Sequence, residues 1–90
     1  MPDTPQGFKH QASSDYWLGY HNLPPGIRTL ADKNFSLLKS NPRHPSLQFK
    51  KIGKVWSVRV GLHHRALATQ IEGGFLWFWI GPHGIYDYKI

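Results

Sequence analysis

Val55-Trp56-Ser57-Val58-Arg59-Val60-Gly61-Leu62-His63-His64-Arg65-Ala66-Leu67-Ala68-Thr69-Gln70-Ile71 decides the fold. Its first six residues alternate, with Trp56, Val58 and Val60 on one face and Ser57 and Arg59 on the other, the period of a half-buried strand. Gly61 to His64 reads as a turn, and Arg65 to Ile71 as a strand returning antiparallel beside the first. Upstream, Leu47, Phe49 and Lys51 alternate with Gln48, Lys50 and Ile52 as an earlier strand, joined through Gly53-Lys54. Downstream, Gly73-Gly74 is a hairpin turn. Phe75 to Ile80 is a fourth strand, apolar on both faces and therefore central or covered on both sides. Gly81-Pro82-His83-Gly84 then breaks the sheet and leaves Ile85 to Ile90 as a short C-terminal tail.

Two helices precede the strands. Ser13 or Ser14 caps a short one, with Asp15 in its first turn and Tyr16, Trp17 and Tyr20 on a shared face. Asn22-Leu23-Pro24-Pro25 ends it. Pro25 then opens a longer helix whose Ile27, Leu30, Ala31, Phe35 and Leu38 form an apolar stripe. Asn41-Pro42 stops that helix. Met1 to Ala12 is polar and carries two prolines, an arm or a short edge strand. Helix, helix and four strands joined by tight turns describe an α+β fold, with the helices packed against a mainly antiparallel four-stranded sheet. No repeat or linker divides residues 1–90, so a single domain is expected.

Composition narrows the function. The chain has 90 residues, 40% of them hydrophobic and 14% aromatic, which is too rich in rings for intrinsic disorder. It contains no cysteine, which excludes disulfides, thiolate metal sites and cysteine nucleophiles, and makes the cytoplasm the expected location. Its longest apolar run, Phe75–Ile80, is too short to span a membrane, and no secretory signal is expected. Eleven Lys and Arg against five Asp and Glu give a formal charge of +6. No acidic residue falls between Lys33 and Ile71, while eight Lys and Arg and three His do. A one-signed stretch of this kind suits a polyanion, most often nucleic acid, or an acidic protein partner.

Motifs for phosphate loops, zinc proteases and serine hydrolases are missing. His63-His64 diverge as neighbours and have no acidic companion, so neither a metal nor a cofactor is expected. What remains is a set of cations and imidazoles on a small sheet. Arg59 and Arg65 should face one another across the Gly61–His64 turn, an arrangement that is costly unless an anion such as phosphate lies between them. His83, between Pro82 and Gly84, presents an imidazole at the sheet's end, with Tyr86 three residues on. Blander readings stand beside these: Arg59 paired with Asp87 or Glu72, His83 as an ordinary loop histidine, His63 as an exposed turn residue, and Trp77 and Trp79 as core aromatics.

Trp56-Ser57-x-Arg59-Val60 followed by His64-Arg65-Ala66-Leu67 resembles the central strands of the RelE/ParE superfamily of bacterial toxins. Asn41-Pro42-Arg43-His44-Pro45 before the strands and Ile80-Gly81-Pro82-His83 after them fit the same pattern, closest to the RelE, YoeB and YafQ messenger-RNA interferases. The resemblance runs from about Phe8 to Ile90. It implies two N-terminal helices on a twisted sheet, and ribosome-dependent, metal-free cleavage of mRNA in the A site by 2′-OH attack. By motif position Arg65 matches the phosphate-stabilising arginine, Arg59 its neighbouring cation, and His83 the C-terminal histidine used in proton transfer. Tyr86 stands near the C-terminal aromatic. His44, Lys50, Lys51, Lys54 and His64 are the implied RNA-binding residues. The glutamate that YoeB-like members carry before the tryptophan strand is absent, which leaves proton transfer to His83 with help from His44 or His64. Implied partners are the ribosome with mRNA, and an acidic antitoxin that wraps the toxin and bridges the complex to its own promoter DNA. Two alternatives share the fold: a ParE-like inhibitor of DNA gyrase, and an inactive domain that only binds its antitoxin.

Overall fold

The computed structural model of the protein describes residues 9–85. Strand β1 (Lys9–Ala12) leads into helices α1 (Ser14–His21) and α2 (Pro25–Ser40). A 3-10 turn at Pro45–Leu47 is followed by β2 (Lys50–Ile52), β3 (Val55–Val60), β4 (His64–Ile71) and β5 (Gly74–Pro82). The five strands form one sheet in the order β1-β5-β4-β3-β2. No helix among the described residues is long and apolar enough to cross a membrane.

The helices begin where their chemistry places them. Ser13 caps α1 by accepting the Tyr16 amide at 3.2 Å, with Asp15 in the first turn. Pro25 occupies the first turn of α2, where a missing N–H does no harm. Both helices lie on one face of the sheet. Tyr16 and Leu23 from the α1 side and Ala31 and Leu38 from α2 bury against Val58, Val60, Ala66, Ala68, Phe75, Trp77 and Ile80. β5 lies between β1 and β4, the interior position that its apolar run requires.

The sheet has five strands where four are expected, and the fifth makes it mixed. β1 runs parallel to β5, with His10 opposite Phe75, and its Lys9 amide donates to Gly73 O at 2.9 Å. Lys-His-Gln-Ala shows no alternation of apolar and polar types because it pairs at an edge through its backbone, with the polar His10 and the small Ala12 as its inward residues. Gly74 is needed there, since a Cβ would collide with the Lys9 backbone. Past Ala12 the edge of β5 is covered by α1, which comes so close at Gly19 that a Cβ would stand 2.5 Å from Ile80 O.

Two boundaries also move. The strand expected from Leu47 starts only at Lys50, because Pro45–Leu47 winds into the 3-10 turn and Gln48 takes a left-handed φ of 45°. β5 continues past Ile80 to Pro82, because β4 begins at His64 and supplies partners for Gly81 and Pro82. A bulge against Leu67 and Ala68 leaves Phe78 unpaired.

The shortness of β2 has an energetic consequence. It pairs with β3 only through Ser57, so the Arg59 carbonyl lacks a neighbouring strand on that side. Asn34 of α2, 9% exposed, donates its side-chain amide to that carbonyl at 3.0 Å. Asn34→Ala strips a half-buried acceptor of its partner and should destabilise the fold by about 1–3 kcal/mol, read by denaturant unfolding.

His10 makes stability depend on pH. Its ring stacks on Phe75 at 5.6 Å, and its Nδ1 accepts the Trp77 indole N–H at 3.1 Å, a bond that protonation at that nitrogen abolishes. Burial, and then the positive charge of Lys39, lower its pKa below the ordinary 6.5. The folded chain therefore holds this proton less firmly than the unfolded chain. The contribution is present above pH 6.5 and is lost as pH falls through the lowered folded value. His64 is shifted the same way by burial and then His63, and adds to the slope. The melting temperature should fall on acidification below pH 6.5, and His10→Asn, which keeps an acceptor, should flatten that fall. An unchanged slope in the variant overturns the assignment.

Candidate functional site

Arg59 and Arg65 are direct partners in the β3–β4 ladder. Val58, Val60 and Ala66 point to the helices, so period two places both arginines on the opposite face, with Cβ atoms about 4.5–5.5 Å apart. Each guanidinium is steadied on a backbone carbonyl near the turn: Arg59 Nε donates to Gly61 O at 3.0 Å, and Arg65 Nη1 to His64 O at 3.0 Å. Among the described residues Arg59 is therefore held by a carbonyl and not by Glu72, and Asp87 lies outside those residues. Two half-buried guanidinium groups on neighbouring strands make a positive face that an anion can meet. The guanidinium fork suits a phosphate.

Neighbours on that face extend the site. Lys50 is the partner of Ser57, two residues from Arg59, and is exposed. Arg65 pairs on its other side with Gly81, over which the Trp79 indole lies; a Cβ at Gly81 would stand 2.7 Å from the ring. Glycine at this point lets an aromatic ring lie beside Arg65. His83 follows directly, exposed, with its backbone N–H donated to His63 O at 2.7 Å. The bonding between β4 and β5 thus runs one residue past the strand and holds His83 at the same sheet end as the arginine pair.

Arg59 also borders a groove of about 620 Å³ with Lys33, Asn34, His44 and Leu62. His44 is occupied structurally, since its Nδ1 accepts the Ser46 amide at 3.2 Å and lies 2.8 Å from Ser46 Oγ. That caps the 3-10 turn and leaves Nε2 to carry the ring proton of the neutral form. Lys33 belongs to this groove as well. Helical periodicity assigns it only to the polar face of α2, and its tie to Arg59 appears only once α2 crosses β3.

The structure does not gather every candidate. Lys51 is the partner of Trp56, so it lies on the helix side of the sheet, away from Lys50. Lys54 sits in the β2–β3 turn at the far end from the arginines. His64, between Val60 and Pro82, also belongs to the helix side. Its Nδ1 is buried without a hydrogen-bond partner among the described residues, and burial, then His63, lowers its pKa. Tyr86 lies outside the described residues. Among those residues no three His or acidic side chains gather as metal ligands.

No family model matches the sequence, and no curated protein matches it either. Solved structures do. The RelB-RelE antitoxin–toxin complex of Methanococcus jannaschii matches with a TM-score of 0.67 and 19% identity, over 87% of this chain and 96% of that one. The isolated Escherichia coli RelE toxin matches at 0.62 and 10% identity, over 91% and 94%. The Staphylococcus aureus YoeB dimer matches at 0.63 and 11% identity, over 83% and 95%. Sequences so far apart share a backbone and few side chains, and it is the backbone that these matches identify: the protein has the RelE-like toxin fold.

Proposed function

We propose that the protein is the toxin of a type II toxin–antitoxin pair and an endoribonuclease that cuts mRNA in the ribosomal A site without a metal. The observation that carries this is the in-register Arg59–Arg65 pair, with His83 held at the same sheet end. The shared fold with RelE and YoeB toxins supports it.

In this reading the scissile phosphate lies across Arg59 and Arg65, with Lys50 as an outer cation. The 2′-oxygen attacks phosphorus and the bond to the 5′-oxygen breaks, giving a 2′,3′-cyclic phosphate and a 5′-hydroxyl. A base takes the 2′-OH proton and an acid supplies one to the leaving oxygen. His83 carries one of these transfers, and Tyr86 acts beside it. The two arginines stabilise the additional negative charge of the pentacoordinate phosphorus. His44, already capping a turn, and Lys33 bind RNA along the groove beside Arg59. An acidic antitoxin covers the basic surface, as the RelB-RelE complexes among the structural neighbours suggest, and brings the pair to its promoter. The toxin acts in the cytoplasm, where its ribosomal target is.

Primer extension on a defined mRNA in a purified translation system tests this. Cuts that require ribosomes support it. Growth arrest with intact mRNA and broken DNA would transfer the proposal to gyrase inhibition.

A further inference from the structure

A second cleft lies at the other end of β3, three residues from Arg59 and on the helix-bearing face. It measures about 300 Å³ and is walled by His10, Phe49, Trp56 and Phe75, with Arg43 and Gln70 at its margin. The Phe49 and Trp56 ring centres are 4.9 Å apart, and those of Trp56 and Phe75 are 5.2 Å apart.

The hydrogen bonds around it fix its polarity. Indole N–H groups only donate. Trp56 Nε1 donates to Gln70 Oε1 at 3.3 Å, so the Gln70 amide must present its NH₂ elsewhere. Trp77 Nε1 donates to His10 Nδ1 at 3.1 Å, so the neutral His10 ring carries its proton on Nε2. Burial and Lys39 keep His10 in that neutral form. Both indoles thus take up acceptors, and the groups around the cleft that remain for a ligand are donors: the Gln70 amide, His10 Nε2–H and the Arg43 guanidinium. Lys51, in register with Trp56 on this face, adds a cation at the strand edge. No acidic side chain is among the described lining residues.

Aromatic walls, donors and positive charge together select a planar, acceptor-rich anion. We infer that this cleft binds one nucleotide of single-stranded RNA, its base against Phe49 and Trp56 and its phosphate toward Arg43. An aliphatic side chain inserted here would carry neither a flat face for the rings nor an acceptor for the Gln70 and His10 donors. A base carbonyl or ring nitrogen supplies one. The RNA source rests on the proposed function, whereas nucleotide binding stands whether or not the protein cleaves.

Quenching of tryptophan fluorescence in the full chain by guanosine and uridine 5′-monophosphates tests this, with inorganic phosphate and an acidic phenylalanine-bearing peptide run alongside. The expected result is saturable quenching by a nucleotide. Arg43→Ala and Trp56→Leu should each weaken it about tenfold, which is 1.4 kcal/mol and within the range for one stacked base. Arg43 is exposed, so its variant keeps the fold even if that of Trp56 does not. Arg65→Ala, which slows cleavage in the proposed mechanism but lies on the opposite face of the sheet, should leave quenching through this cleft in place. No quenching up to about 10 mM nucleotide overturns the inference. Equal quenching by phosphate overturns it as well, as does quenching by the peptide alone, or loss in Arg65→Ala with none in Arg43→Ala.

Discussion

Replacing Arg65 with alanine should slow ribosome-dependent mRNA cleavage by about 10²–10³-fold, the usual loss for one preorganised charge-stabilising group. The expectation comes from its place in the ladder. Arg65 faces Arg59 directly and is braced on the His64 carbonyl, so the cation is in position before RNA arrives. Half-buried, it acts with less solvent screening than a surface lysine would have. Arg65→Lys should recover only part of the loss, because an ammonium keeps the charge but not the planar fork. The measurement is single-turnover cleavage on programmed ribosomes, with melting temperatures for both variants. A native-like melting temperature with an undiminished rate would remove Arg65 from the mechanism.

His83→Ala should lower the same rate by about 10²–10⁴-fold, the range for loss of a general acid or base. The side chain is exposed, and the backbone N–H of this residue donates to His63 O, a bond that the substitution retains. Stability should therefore hardly change while activity collapses. Added imidazole separates a chemical from a structural role, since a small diffusible base restores part of the rate only where a proton transfer has been lost. If the variant is slow and imidazole does nothing, His83 positions RNA and does not move protons.

How much of this was legible in the sequence depended on periodicity. β3 alternates and the short Gly61–His64 turn returns the chain beside it, so the pairing of β3 with β4, and with it the Arg59–Arg65 opposition, followed from the residues alone. β1 could not be read that way, because Lys-His-Gln-Ala joins the sheet through backbone bonds and one inward ring. Lys50 and Lys51 show a finer limit. Adjacent in sequence, they read as a single basic patch, yet the pleat sends them to opposite faces, one toward the arginines and one toward the aromatic cleft. His64 looked like a companion of Arg65 for the same reason. Long-range crossings, such as Asn34 reaching the Arg59 carbonyl, leave no local pattern at all.

β1 is synthesised first of the five strands and β5 last, yet the two are partners. His10 and the Trp77 indole that bonds it are 67 residues apart in the chain. Parallel pairing across so long a loop is the kind of contact that slows folding. During translation the β2–β3–β4 hairpins can pair before β5 emerges, but the apolar face of α2 is completed only by Trp77 and Ile80. β1 and α1 must wait for β5, and the aromatic cleft around His10 is completed only when they dock. A protein whose proposed target is the ribosome is thus left unfinished for as long as the ribosome making it has yet to deliver β5.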